Sequence, residues 1–75
     1  MVLAFVLINT EIGYEKNIHM KICEFDGVKD AYQCHGVYNI IAEIISETTE
    51  ELRKLVYRFQ KIDKVRSTLT MLNLA

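Results

Sequence analysis

The chain has 75 residues, of which 51% are hydrophobic and 25% charged, and its formal net charge is −1. A chain this short forms one domain, residues 1–75, and its composition excludes a disordered polypeptide. The small net charge argues against a direct nucleic-acid binder, because neutralising phosphates needs clustered lysine and arginine. A core of this size seldom supplies more than about 3–5 kcal/mol, so self-association is the expected extra source of stability.

The N-terminal segment is typical of a strand with apolar side chains on both faces. Residues Val2 to Ile8 are continuously apolar, and this run is too short to span a membrane. No basic region of a signal peptide precedes it, so we predict a soluble, cytoplasmic protein. Because one layer of helices covers only one face of a sheet, the second apolar face predicts contact with another subunit.

A helix and a β-hairpin are predicted next. Ile18, Ile22 and Phe25 recur at helical spacing, and Cys23 beside them is expected to be buried. The second strand is predicted over Val28 to Cys34, with Val28, Tyr32 and Cys34 on one face. His35, Gly36 and Val37 form a bend, and the third strand is predicted over Tyr38 to Ile45.

The clearest helix pattern precedes the last strand. Thr48 and Glu51 have capping-box spacing, and an apolar stripe follows them at Leu52, Leu55, Val56, Phe59 and Ile62. A fourth strand is predicted over Lys64 to Leu74. Val65, Leu69 and Met71 are expected on one of its faces, and Arg66, Thr68 and Thr70 on the other.

The resulting order of elements is βαββαβ. The simplest fold for this order is the α+β, ferredoxin-like arrangement, a four-stranded antiparallel sheet with both helices on one face. Right-handed crossovers place the first and third strands in the middle of the sheet. These two strands are also the most apolar, which agrees with a central position.

Catalytic and metal sites are poorly supported. Cys34 and His35 are adjacent in a strand and point to opposite faces, so they cannot share a proton as nucleophile and base. His19 and Cys23 have a usable i,i+4 ligand spacing, but no third ligand follows at a recognisable spacing. We therefore predict no enzyme activity, no cofactor and no metal.

A set of polar residues remains that could bind a small zwitterion. Thr68 and Thr70 share a strand face, and the hairpin offers Gly36, Tyr38 and Asn39. Hydroxyl, amide and backbone groups supply donors for a carboxylate and acceptors for an ammonium group. The alternative is that threonine is simply a favourable strand residue and that Asn39 caps the turn.

Three stretches of the chain read "GVKDAYQCHGVYNIIAEI", "ETTEELRKLV" and "VRSTLTML". With these stretches the chain resembles the regulatory domain of the Lrp/AsnC (leucine-responsive, feast/famine) transcription regulators. The family pattern has Gly-x-Tyr-Asp in the hairpin and Thr-x-Thr in the last strand. The counterparts here are Gly36, Tyr38 and Asn39, then Thr68 and Thr70, with an asparagine in place of the usual aspartate.

The resemblance implies how such a domain works. It implies dimers formed through the open face of the sheet, often assembled into octamers, with amino-acid effectors bound between dimers near the hairpin. The family's helix-turn-helix DNA-binding domain does not precede Met1, so the chain is expected to be a stand-alone module that acts on full-length regulators. The expected ligand contacts are His35, Gly36, Tyr38, Asn39, Thr68 and Thr70.

Two alternatives stay open. The chain could be an assembly protein of the same fold without a ligand, which the asparagine at position 39 favours. The more remote alternative is a small ferredoxin-like enzyme, which needs a polar residue facing a pocket between sheet and helices. The helix stripes show no such interruption.

Overall fold

The elements of the computed structural model, which describes residues 1–72, follow the predicted order strand, helix, strand, strand, helix, strand. Their bounds are β1 Val2–Thr10, α1 Glu15–Cys23, β2 Val28–Gln33, β3 Ile40–Ser46, α2 Thr49–Gln60 and β4 Val65–Leu72. The last two residues of the predicted fourth strand, Asn73 and Leu74, lie outside the described residues. The ferredoxin-like α+β fold is thereby confirmed.

The four strands form one antiparallel sheet in the order β2-β3-β1-β4. The two central strands are β1 and β3, as predicted, and they pair in continuous register from Val2 opposite Ser46 to Ile8 opposite Ile40. Residues that lie opposite each other in a sheet share a face. The register therefore assigns each side chain either to the helix-covered face or to the face without helices, which we call the open face.

The core lies between the sheet and the two helices. Side chains at alternate positions of the central strands are fully buried there, and each helix contributes its apolar stripe to the same cluster. The buried apolar residues are Ala4, Val6, Ile8, Ile18, Ile22, Ile40, Ala42, Ile44, Leu52, Leu55 and Phe59. Phe25 packs edge-on against Phe59 at 5.3 Å between ring centroids, which fixes the loop after α1 against α2.

The predicted cap of α2 is confirmed. Thr48 has an extended backbone and its hydroxyl accepts a hydrogen bond from the backbone N–H of Glu51 at 3.1 Å. This bond satisfies one of the N–H groups that the first turn of a helix leaves without a partner. The helix that carries the strongest apolar stripe therefore begins where the sequence predicts.

The predicted faces of the two outer strands are partly wrong because both strands contain a bulge. The register of β2 against β3 shifts between Val28 and Asp30, so Val28 faces the helices while Tyr32 faces away. The register of β1 against β4 shifts between Asn9 and Thr10, so Val65 packs against the core while Leu69 lies on the open face. An extra residue in one strand reverses the alternation beyond it.

Two further expectations need correction. Cys23 is exposed rather than buried, because it lies one residue beyond Ile22 and about 100° around the helix from the buried stripe. The third strand begins at Ile40 rather than Tyr38, so Tyr38 and Asn39 belong to the hairpin loop.

None of the helices within residues 1–72 has the length and apolar character needed to cross a membrane.

Candidate functional site

The loop between β2 and β3 is closed by its own backbone and by one thiol. The Cys34 N–H donates to the Asn39 carbonyl at 2.7 Å, and the Cys34 thiol donates to the Tyr38 carbonyl at 3.1 Å. Gly36 has a φ of 140°, a backbone conformation that residues with a side chain rarely adopt. Cys34 therefore holds the loop together, while the side chain of His35 is exposed.

Asn39 joins this loop to the end of β1. Its backbone N–H donates to the Ile8 carbonyl at 2.9 Å, and its side-chain oxygen Oδ1 accepts from the Thr10 N–H at 2.9 Å. Because a backbone N–H needs an acceptor, this second bond fixes which end of the amide faces β1. The Nδ2 group, which can only donate, is then directed away from that bond.

A cavity of about 330 Å³ opens beside Asn39 at this end of the sheet. It is lined by the start of α1, the end of β2 and the hairpin loop, through Glu15, Gln33, Cys34, His35 and Asn39. The Glu15 carboxylate accepts from the Gly13 N–H at 3.1 and 3.3 Å. The cavity thus combines an acidic group with amide and imidazole groups able to donate hydrogen bonds.

The two threonines lie elsewhere in the protomer. Thr68 accepts a hydrogen bond from Gln60 Nε2 at 3.0 Å, and Thr70 lines a groove of about 280 Å³ between α2 and β4. Thr68 is opposite Ile8 on one side of β1, and Ile40 is opposite Ile8 on the other. Thr68 in β4 is therefore two strand spacings, of about 4.8 Å each, from Ile40 in β3, where the hairpin loop ends.

The six residues predicted from the sequence thus form two groups. His35 and Asn39 line the hairpin cavity, Gly36 and Tyr38 belong to its loop, and the two threonines lie beside α2. Glu15 and Gln33 also line the cavity, although neither was predicted from the sequence as a ligand contact. The signal that could have identified Glu15 is topological, since α1 begins at the sheet end where the hairpin lies.

Of the pair at His19 and Cys23, the histidine has a structural role. His19 Nε2 donates to the Ala31 carbonyl at 2.7 Å and lies 3.9 Å from Cys23 Sγ. The imidazole therefore ties α1 to β2. The described part of the chain contains no group of three or more histidine, cysteine or acidic residues placed to hold a metal ion.

A wider hollow of about 630 Å³ runs along the outer side of α2. Its charged lining includes Glu50 and Arg53, which form an exposed ion pair at 3.6 Å. Exposed pairs of this kind contribute little, and their presence on a solvated helix face needs no ligand. The hairpin cavity is therefore the better candidate for a small polar ligand.

The open face of the sheet is a second candidate site, for a protein partner. Its side chains are mainly apolar and only half-buried or exposed in the single chain. They are Leu3, Phe5 and Leu7 from β1, Ile41 and Ile45 from β3, Leu69 and Met71 from β4, and Tyr32 from β2. A contiguous apolar face of this kind marks an interaction surface.

Comparisons with known proteins agree with this architecture. The profile of the family described as the Lrp/AsnC ligand binding domain matches residues 3–75. The HTH-type transcriptional regulator FL11 of Pyrococcus furiosus is 27% identical over 71 residues, which are 95% of this chain and 47% of the regulator. The chain therefore spans about half the length of this curated relative.

Two solved structures show the same fold. TTHA0845 from Thermus thermophilus is 28% identical, with a TM-score of 0.95 over 100% of this chain and 95% of the solved one. Escherichia coli AsnC is 26% identical, with a TM-score of 0.89 over 99% of this chain and 51% of the solved one.

Proposed function

Because the chain belongs to the family of Lrp/AsnC ligand-binding domains, we propose that it is a regulatory module that binds a small amino acid in the hairpin cavity. The observation that carries this proposal is the lining of that cavity, where the Glu15 carboxylate and the Asn39 amide occur together. Such a module senses its ligand and acts on transcription regulators of the same family in the cytoplasm. It performs no catalysis.

The Asn39 amide is suited to the carboxylate end of such a ligand. Its oxygen already accepts from the Thr10 N–H, and its Nδ2 group can donate to a carboxylate. An aspartate here, as in the family pattern, can also accept from Thr10 but offers the cavity an oxygen. The ammonium end of the ligand then needs another acidic partner, and Glu15 supplies a carboxylate in the same cavity.

The second part of the proposal is self-association through the open face. The apolar side chains of β1 and β4 on this face have no helix above them, and a second copy offers a matching apolar surface. If such dimers assemble further, Thr68 and Thr70 of one copy can approach the hairpin of another copy. Within one protomer they do not line the hairpin cavity.

The ligand proposal is tested by calorimetry and thermal-shift screening of the standard amino acids. We expect at least one to bind and to raise the melting temperature at millimolar concentration. Glu15→Gln should weaken this binding, because it removes the charge that pairs with the ammonium group and keeps an acceptor for Gly13. Glu47→Gln, an exposed carboxylate in the loop before α2, is the matched control and should bind as the wild type.

A second function, assembly without a ligand, is favoured by the hydrogen bonds of Asn39. Those bonds explain the residue as a structural link between the hairpin and β1. The Asn39→Asp variant separates the two functions, since it preserves the acceptor for Thr10. If no amino acid binds the wild type at millimolar levels and the variant gains binding, the chain acts in assembly alone.

A further inference from the structure

The open face carries a charged cluster on a mainly apolar surface. Glu43 lies in the middle of β3, and only 19% of its side chain is exposed even in the single chain. Asp30 of β2 is its cross-strand partner, and the Lys29 ammonium is 3.9 Å from Glu43 Oε2. Two carboxylates and one ammonium group therefore share this part of the face.

The groups that surround Glu43 can be named strand by strand. From β2, Lys29 and Asp30 lie beside Glu43, and from β1 Phe5 lies directly opposite. The phenol of Tyr32 hydrogen-bonds to Asp30 and also feels the charge of Glu43. The sequence of β1 contains no charged residue, and β4 is separated from Glu43 by β1. One positive charge thus faces two negative ones, and like charges on opposed strand positions repel.

We propose that Asp30 and Glu43 make the association of two copies through the open face depend on pH, with the complex holding a proton that the separate protomers release. This inference rests on the self-association proposed above. Covering the face removes water from both carboxylates, and an ionised carboxylate without a partner is costly to bury. Lys29 compensates one charge, and a shared proton removes the other.

The direction of the effect follows from proton linkage. If association takes up a proton, lowering the pH favours the complex and raising the pH favours the separate protomers. For one proton the dissociation constant rises by up to about tenfold for each pH unit. The effect is absent at pH values low enough for both carboxylates to be protonated in the free protomer.

The test measures the dissociation constant of the wild-type dimer by sedimentation equilibrium from mildly acidic to mildly alkaline pH. Heats of dilution in two buffers of different ionisation enthalpy count the protons directly. Glu43→Gln keeps the shape of the side chain and removes its charge. We expect this variant to form a dimer several-fold tighter than the wild type at alkaline pH and to have a flatter pH dependence.

Control variants identify the groups responsible. Glu47→Gln removes an exposed carboxylate outside the open face and should leave the pH dependence unchanged. The imidazoles of His19 and His35 can also bind protons, so the Asp30→Asn/Glu43→Gln double variant is needed. A pH dependence that survives in the double variant belongs to other groups and overturns the proposal.

The two proposals fail in different ways. A wild-type dimer whose dissociation constant does not change with pH, and which takes up no proton, overturns the role of Asp30 and Glu43 alone. A protein that stays monomeric at every pH overturns the association through the open face and this inference with it.

Discussion

Single side chains in this small domain serve the fold and the candidate site at once. Asn39 shows this most clearly, because its oxygen accepts a hydrogen bond from the Thr10 N–H at the end of β1 while the residue also lines the hairpin cavity. Cys34 has a comparable position, since its thiol closes the hairpin loop. Of the two residues that resemble a reactive pair in the sequence, Cys34 therefore holds the loop in place.

The contribution of the Asn39 side chain to the free energy of unfolding can be measured by truncating it to alanine. Asn39→Ala leaves the part-buried Thr10 N–H without its acceptor, so we expect the free energy of unfolding to fall by about 1–2 kcal/mol. Asn39→Asp retains an acceptor and should cost less. Urea denaturation of the three proteins provides the comparison, and equal stability of wild type and Asn39→Ala would contradict the structural role.

The pKa of the Tyr32 phenol responds to the negative charges on the open face. The negative charge of Asp30 is the largest of the causes that raise the pKa of the Tyr32 phenol above its ordinary value of about 10, and Glu43 acts in the same direction. The folded state therefore keeps this proton to a higher pH than the unfolded state does. Ionisation of Tyr32 weighs against folding only above about pH 10 and has no effect at neutral pH.

We expect Asp30→Asn to lower the pKa of Tyr32 towards its ordinary value. The phenolate absorbance of each protein, minus that of the same protein carrying Tyr32→Phe, isolates this group from the other tyrosines. An unchanged midpoint in Asp30→Asn would show that the carboxylate does not influence the phenol.

At the scale of elements, α2 depends on its cap as well as on its buried stripe. Thr48→Ala removes the acceptor of the Glu51 N–H and should lower the free energy of unfolding by about 1 kcal/mol. Thr49→Ala, one residue further and exposed, is the matched control and should change stability much less. Denaturant titration measures both, and equal losses in the two variants would argue against the cap.

The sequence predicted which elements form but not where the outer strands change face. Helical spacing identified Ile18, Ile22 and the α2 stripe, because burial of one helix side requires that spacing. The positions of Val28 and Val65 were wrong because each lies beyond a bulge. A bulge is set by how two strands pair, so the residues of one strand alone do not reveal it.

The candidate site was predictable only in part for a related reason. The hairpin residues are consecutive in the chain, and their polar character is visible there. Glu15 comes from a different element and reaches the cavity because α1 starts where β1 ends. The separation of Thr68 from the hairpin follows from the position of β4 on the far side of β1, which the predicted central position of the first and third strands already implied.

For the whole molecule, the main physical feature is that the helices cover only one of the two sheet faces. One face is buried by two helices, and the other exposes a row of branched and aromatic side chains. A domain of this size gains little stability from its single core, so covering the second face with another copy adds substantially to the buried apolar area. Both the free energy of unfolding and the fraction of associated protein are then expected to rise with protein concentration.

The role of the open face in self-association can be tested by placing one charge at its centre. Leu7 lies between Ile41 and Leu69 on this face and is only half-buried in the protomer. Leu7→Glu should therefore leave the helical content measured by circular dichroism unchanged but abolish self-association in sedimentation velocity. Met20→Glu, with 57% exposure on α1, is the control and should associate as the wild type does. If Leu7→Glu remains fully associated while folded, the copies meet through a different surface, because an unpaired carboxylate cannot be accommodated at an apolar contact without a large loss of affinity.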